Sequence, residues 1–382
     1  MNMRARIFNS RKSKTPHCAS LWGPRSVESR KSWSACIIAA CACLLWACTP
    51  AVQQGKTPRP GNKYATGFQI DDTLGMKRVR VFAPWNADSV MATYMISEPL
   101  ERIGASSATH IGMLAELGLM DRLVGMCNPE VSYHELPESC KHLGDAMQPD
   151  CERIIANGVQ AMLYSTYAPS DQSAVRMESV GIPVLYNNEW RESTPLARAE
   201  WIRFVAVFFD KLDVADSIFH AVDSAYCALK DSRQSSNLQI SKSSNLKVVS
   251  GLDFRGTWYV PAGGTYMGAL FRDAGAKYAF ADDERESSIP LTFEQALLTF
   301  ADADVWLGCN VPSREALLEM NSQHALFKAY KTGRLYNFRK RCLPSGANDF
   351  WESGVVHPER ILQDIIATLD GDTTFYYINP VR

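Results

Sequence analysis

The sequence predicts an α/β protein of two lobes joined by a long helical segment. Three observations carry this. Short strand-like runs alternate with helical patterns on both sides of the middle of the chain, which indicates parallel sheets with covering helices. The middle, residues 194–231, has no glycine and a single proline, Pro195, placed to suit a first helical turn. Beyond residue 47 there remain 382 less 47, or 335 residues, more than one ordinary core accommodates.

The first 47 residues read as an export signal and not as part of the fold. Arg4, Arg6, Arg11, Lys12, Lys14, Arg25, Arg30 and Lys31 face one acid, Glu28, and an apolar run follows from Ala35 to Cys48. That run is shorter than the ~20 residues a membrane span needs. It ends Leu45-Trp46-Ala47-Cys48, which resembles a lipobox, so Cys48 is expected to carry the lipid and to become the first mature residue. Without residues 1–47, Lys+Arg falls from 40 to 32 and Asp+Glu from 41 to 40, a net charge of −8. An acidic chain is a poor partner for nucleic acid. Residues 48–76 are expected to form a polar tether, rich in proline and glycine at 49–63. Six cysteines lie beyond Cys48: Cys127, Cys140, Cys151, Cys227, Cys309 and Cys342. None forms a close pair, so no zinc knuckle is indicated. Disulfides and free buried thiols both fit an exported chain.

The first lobe is expected over 77–193, with strands at 79–82, 123–126, 161–164 and 183–186 and helices at 111–117 and 152–157. The helical backbone follows over 194–231. Trp201, Phe204, Val205 and Phe208 fall at i, i+3, i+4 and i+7, and Leu212 to Leu229 continue the stripe, with a break near Lys211. The second lobe is expected over 232–382, ending in a closing helix. It opens on a Ser/Asn-rich loop, then strands at 248–250 and 305–307 and helices at 267–273 and 294–299. The lobes echo each other. Thr109-His110-Ile111-Gly112 opens a helix in one and Thr265-Tyr266-Met267-Gly268 in the other, each with a threonine as expected N-cap and a glycine near C′. Glu152-Arg153-Ile154 and Glu294-Gln295-Ala296 likewise start helices that precede strands.

The stretches at 109–125 (THIGMLAELGLMDRLVG), 194–204 (TPLARAEWIRF), 256–276 (GTWYVPAGGTYMGALFRDAGA), 291–307 (LTFEQALLTFADADVWL) and 348–358 (NDFWESGVVHP) resemble the siderophore, haem and vitamin B12 class of ABC-importer binding proteins. The resemblance covers about residues 77–370. It implies two Rossmann-like lobes on one rigid helical backbone, the class III architecture, with cargo held between them. It implies an ABC permease dimer with its ATPase as partner, and a monomer anchored by lipid and facing the periplasm. It also implies one glutamate on the outer top of each lobe, here Glu152 and Glu294, meeting arginines of the permease. The cargo class is a ferric siderophore, haem or cobalamin, with no cofactor of the protein's own.

Ligands of open α/β sheets bind outside the carboxyl ends of the strands. The residues expected to line the cleft are Trp85, His110, Tyr133, Tyr167 and Trp190 in the first lobe, and Arg255, Trp258, Tyr259, Asp349 and Trp351 in the second. Aromatics would stack on flat conjugated or catecholate cargo, and Arg255 would offer a planar fork to a carboxylate or phosphate. Core packing is the competing role for each aromatic, and a helix-start hydrogen bond for His110. No catalytic residue and no metal ligand set is expected. Gly-x-Ser-x-Gly, His-Glu-x-x-His and Walker patterns are missing, and His134-Glu135 runs into Pro137. A periplasmic enzyme on the same fold stays open as the alternative, since fold alone does not exclude one. A binder of bare zinc or manganese is disfavoured by only seven histidines and no His-rich tract.

Overall fold

The chain opens, in the computed structural model, with a three-stranded antiparallel meander: β1 (Phe68–Thr73), β2 (Met76–Ala83) and β3 (Asn86–Ile96). The structure describes residues 57–237 and 246–382, so the signal, Cys48 and residues 49–56 lie outside the described residues. The expected tether is corrected here, because residues 58–76 are built into the fold. The strand expected at 79–82 is real but belongs to the meander and not to the parallel sheet.

The first-lobe sheet is parallel, in the order β10 (Val184–Tyr186), β9 (Ala161–Tyr164), β4 (Ile103–Ala105), β5 (Leu123–Met126), β6 (Lys141–His142). A small hairpin, β7 (Gly144–Asp145) and β8 (Gln148–Pro149), hangs beside it. Helices α1 (Ala108–Glu116), α2 (Cys151–Ala156) and α3 (Gln172–Ser179) connect the strands. Ser107, not Thr109, caps α1, its side chain accepting from the Thr109 N–H. The strands are buried along their length, as both faces of a parallel sheet are covered.

The helical middle is α4 (Pro195–Ala199), α5 (Ile202–Ala206) and α6 (Leu212–Asn237), so α6 runs past the expected end at 231. The break falls at Asp210, which is left-handed with φ 55°. The apolar stripe packs as its spacing requires. Trp201, Phe204 and Phe208 are fully buried, with ring centroids 5.2 and 5.3 Å apart in sequence. Two carboxylates, Glu192 just ahead of α4 and Glu200 at its end, hold the incoming chain. Glu200 accepts from the backbone N–H groups of Lys63, Tyr64 and Ala65, each at 2.7 Å. Glu192 accepts from those of Thr66 and Gly67 at 2.8 Å and from Trp201 Nε1 at 3.0 Å.

The second-lobe sheet runs β14 (Lys277–Tyr278), β11 (Lys247–Ser250), β16 (Val305–Leu307), β17 (Leu335–Asn337), β18 (Asn379–Pro380), parallel except for β18. A second sheet, β12 (Asp253–Phe254), β13 (Thr257–Pro261) and β15 (Ser288–Leu291), stands beside it. The helices are α7 (Tyr266–Asp273), α8 (Phe293–Phe300), α9 (Arg314–Met320), α10 (Lys328–Thr332) and the closing α11 (Pro358–Asp370). Thr265 caps α7 as expected. Glu152 and Glu294 occupy the same place in α2 and α8, the second residue after the caps Asp150 and Thr292, and both are exposed. All six described cysteines are free.

The lobes meet along a seam of unusual closeness. A Cβ on Gly112 of α1 would stand 2.2 Å from the Glu352 carbonyl oxygen, so only glycine lets α1 rest on the turn at 353–355. Beside it, the fully buried Glu352 carboxylate accepts from the N–H groups of Tyr133 at 2.7 Å and His134 at 2.9 Å, and pairs with the His134 ring at 2.5 Å. His357 lies 3.0 Å from Glu116 of α1 and 2.8 Å from Glu359. Burial alone would push the His357 pKa down, but the two carboxylates outweigh it and raise it to about 9. Glu352 likewise holds the His134 pKa above its ordinary value.

Two outcomes follow for stability. Gly112→Ala should destabilise by about 1–3 kcal/mol in urea unfolding, because backbone must move, despite alanine's better helix propensity; unchanged stability would show the seam to be slack. A folded-state pKa above the unfolded one contributes stability that is complete below about pH 6.5 and lost as pH rises through about 9. The shift amounts to roughly 3 kcal/mol. The melting temperature should therefore fall between pH 6.5 and 9, and His357→Gln should lower the plateau and flatten that fall.

Candidate functional site

Both parallel sheets place a central strand between neighbours that run on in opposite directions along the sheet: β4 between β9 and β5, and β11 between β14 and β16. Such switch points open a crevice at the carboxyl ends. In the first lobe its floor is polar and tightly bonded. Ser165, after β9, bonds the His110 Nε2 at 3.2 Å and donates to the Asn187 carbonyl at 3.2 Å. The Thr166 N–H donates to Asn188 Oδ1 at 3.0 Å. Above this floor Tyr167 and Trp190 pack ring against ring, centroids 5.1 Å apart, with Tyr167 52% exposed.

Buried groups behind this floor are left with unmet bonding. Among the described residues Glu189, 2% exposed, has no partner for Oε2, and burial raises its pKa. Trp190 Nε1 and Asn187 Oδ1 are also unpartnered. Arg198, on α4, ties three parts together. It donates to the carbonyls of Glu192 at 2.9 Å and Trp190 at 2.8 Å, and its guanidinium lies 4.3 Å from the ring centroid of Tyr266 on α7.

In the second lobe the β12–β13 hairpin leaves the carboxyl end of β11. Phe254 and Tyr259 on it are 64% and 50% exposed. Arg255 sits at its tip with φ 53°, exposed, its guanidinium 5.2 Å from the ring centroid of Phe254. Trp351 is 47% exposed and packs edge-on against Phe350.

Three of the expected lining residues are corrected. Trp258 is fully buried. Its Nε1 donates to the Ser250 carbonyl at 3.0 Å and its ring stacks on Trp306 at 5.2 Å. Alternation along β13 turns Tyr259 outward and Trp258 into the core. His110 is also fully buried, and burial drives its pKa down to about 3, so it is a neutral hydrogen-bonding group of the core. Asp349 is fully buried and committed to Arg341 at 2.5 Å. Trp85 lies in the β2–β3 turn of the meander, half-exposed and outside both parallel sheets. Tyr133 belongs to the seam, its N–H held by Glu352 and its ring 5.1 Å from the Arg341 guanidinium. The residues that the sequence reading overlooked are Glu189, Arg198, Glu352 and Arg341. For the last, the run Arg339-Lys340-Arg341 after a strand was the available signal.

A cavity of about 530 Å³ lies elsewhere, between the incoming chain and α6. Its charged walls already pair among themselves, Lys63 with Asp223 and Arg203 with Asp216. The switch-point crevices and their exposed aromatics are therefore the better candidate. Among the described residues no cluster of three His, Cys, Asp or Glu could hold a metal ion.

Known proteins share this architecture. An uncharacterized lipoprotein of Methanocaldococcus jannaschii is 23% identical over 295 residues, which is 72% of this chain; the chain spans 66% of that relative's length. The solved vitamin B12 binding protein BtuF of Vibrio cholerae superposes with a TM-score of 0.53 at 13% identity, covering 71% of this chain and 97% of that one. The heme binding protein HutB of Vibrio cholerae gives 0.53 at 18% identity, covering 69% and 97%. These two likenesses establish the fold, two α/β lobes on a helical backbone. A profile of the periplasmic binding protein family matches residues 104–342, well over half of the chain, from β4 through the Arg341 loop. The chain belongs to the periplasmic binding protein family.

Proposed function

We propose that this chain is the lipid-anchored, extracytoplasmic binding component of an ABC importer, and that its cargo is a metal chelate of the siderophore, haem or corrinoid kind. The observation that carries the reading is the aromatic set at the carboxyl ends of both sheets: half-exposed Tyr167, packed on the more buried Trp190, in one lobe, and exposed Phe254, Tyr259 and Trp351 in the other. Apolar rings left in water at switch points are suited to stacking on a flat or conjugated ligand. The solved BtuF and HutB, with the same fold, bind vitamin B12 and heme by their names. The lipid would sit on Cys48, ahead of the described residues. Glu152 and Glu294, exposed at matching helix starts and related by the repeat, suit a permease with two-fold symmetry.

The purified mature chain should be stabilised by one class among haem, cobalamin, cobinamide and ferric siderophores in a thermal-shift screen, by mass action. No shift with any of them would refute the cargo reading. With the cargo in hand, Tyr167→Ala and Trp351→Ala should each weaken binding by about 1–3 kcal/mol while the apo melting temperature holds. Lost stability with unchanged affinity would return these rings to a packing role.

Docking makes a separate expectation. Glu152→Arg/Glu294→Arg should abolish uptake and leave cargo affinity intact, because like charges would meet across the interface. A single Glu→Ala change should be milder, as one exposed ion pair is worth at most about 1 kcal/mol. Normal uptake by the double mutant would refute the assignment.

A further inference from the structure

We propose that Arg341 selects the cargo, and that the cargo presents an oxyanion, a carboxylate or phosphate, to it. The inference rests on the reading that the cleft between the lobes holds cargo, and it goes further in naming the chemistry the cargo must carry. Arg341 lies in the loop that leaves the carboxyl end of β17, where Arg339, Lys340 and Arg341 follow one another. Its Nε donates to the fully buried Asp349 at 2.5 Å. Its guanidinium carbon lies 5.1 Å from the ring centroid of Tyr133, from the opposite lobe, and 4.7 Å from that of Tyr376. One ion pair and two rings therefore fix the plane of the group before any ligand arrives.

What is left over decides the role. The side chain keeps 33% of its surface exposed, and among the described residues its two terminal nitrogens have no hydrogen-bond partner. Asp349 occupies only the Nε edge, so the paired terminal N–H groups remain as a planar fork, the geometry that matches carboxylate or phosphate. The nearby acids are already engaged: Glu352 by His134 and two backbone amides, Glu116 and Glu359 by His357. Arg255, expected to supply the fork, lacks any such support. It stands exposed on a hairpin tip, its side chain without a hydrogen bond or ion pair among the described residues, and ordering it on a ligand would cost side-chain entropy that Arg341 has already lost in folding.

Tryptophan quenching titrations would test this with five probes. Haemin, ferric citrate and cyanocobalamin carry a carboxylate or phosphate, and ferrioxamine and cobinamide carry none. The parent should bind at least one of the first three, and Arg341→Gln should weaken that binding by roughly 10- to 100-fold. Arg341→Lys should restore only part of it, since an ammonium offers no fork. If Arg341→Gln misfolds because Asp349 is left buried and unpaired, Arg341→Gln/Asp349→Asn removes both charges and takes its place. Which of the three binds separates a carboxylate cargo from a phosphate one. Parent-like affinity in a folded glutamine variant would overturn the role of Arg341 and leave the cargo reading standing. Binding of oxyanion-free probes alone would do the same, and binding of none would overturn both.

Discussion

The arrangement of the lobes depends on one buried carboxylate. Glu352 comes from the second lobe, is fully buried, and has its oxygens met by amide N–H groups and an imidazole of the first. A carboxylate taken out of water without such partners costs several kcal/mol. Drawing the lobes apart at this point would break all three of these bonds together. Gly112 reinforces the contact by bringing backbone against backbone, where no side chain can rearrange to absorb a shift. The seam therefore acts as a fixed edge. Any opening must pivot about it and the helical backbone beside it, and large swings of the kind seen with extended-strand hinges are disfavoured.

The same device appears at the entry of the chain. Glu200 and Glu192 together accept five consecutive backbone N–H groups, from Lys63 to Gly67. These amides belong to no sheet or helix, and that of Ala65 would otherwise be buried unpaired. Burial pushes the Glu192 pKa up while the donors around it pull the other way. The incoming chain is thus bonded to the helices that join the lobes.

Much of this was legible in the sequence because it follows from periodicity. Strands at 123–126, 161–164 and 305–307 and the helical middle are set by buried runs and a 3.6-residue stripe, and the structure has them there. What escaped was what periodicity does not encode. β4 is only three residues, Ile103–Ala105, too short for a pattern. The meander at 68–96 pairs with itself; of its three strands the sequence marks only 79–82, which reads there as a member of the parallel sheet. At the site, Trp258 and Tyr259 are adjacent, and register alone sends one into the core and the other to solvent. Glu352 left no trace in the sequence and Arg341 only the run of cations after a strand, because their roles come from contacts with residues more than two hundred positions away, Glu352 with Tyr133 and His134, Arg341 with Tyr133.

The seam and the candidate cation are physically linked, and this bears on how binding is felt at a distance. Tyr133 gives its backbone N–H to Glu352 and its ring face to Arg341. Asp349 and Glu352 lie on one short segment, three residues apart, with Gly354 and the seam turn directly behind them. An anion drawn to the Arg341 fork would compete with Asp349 and the Tyr133 ring for the same positive charge. Any slackening there falls on residues that also hold the lobes together. The candidate cation and the lobe contact share Tyr133, so neither can change without cost to the other.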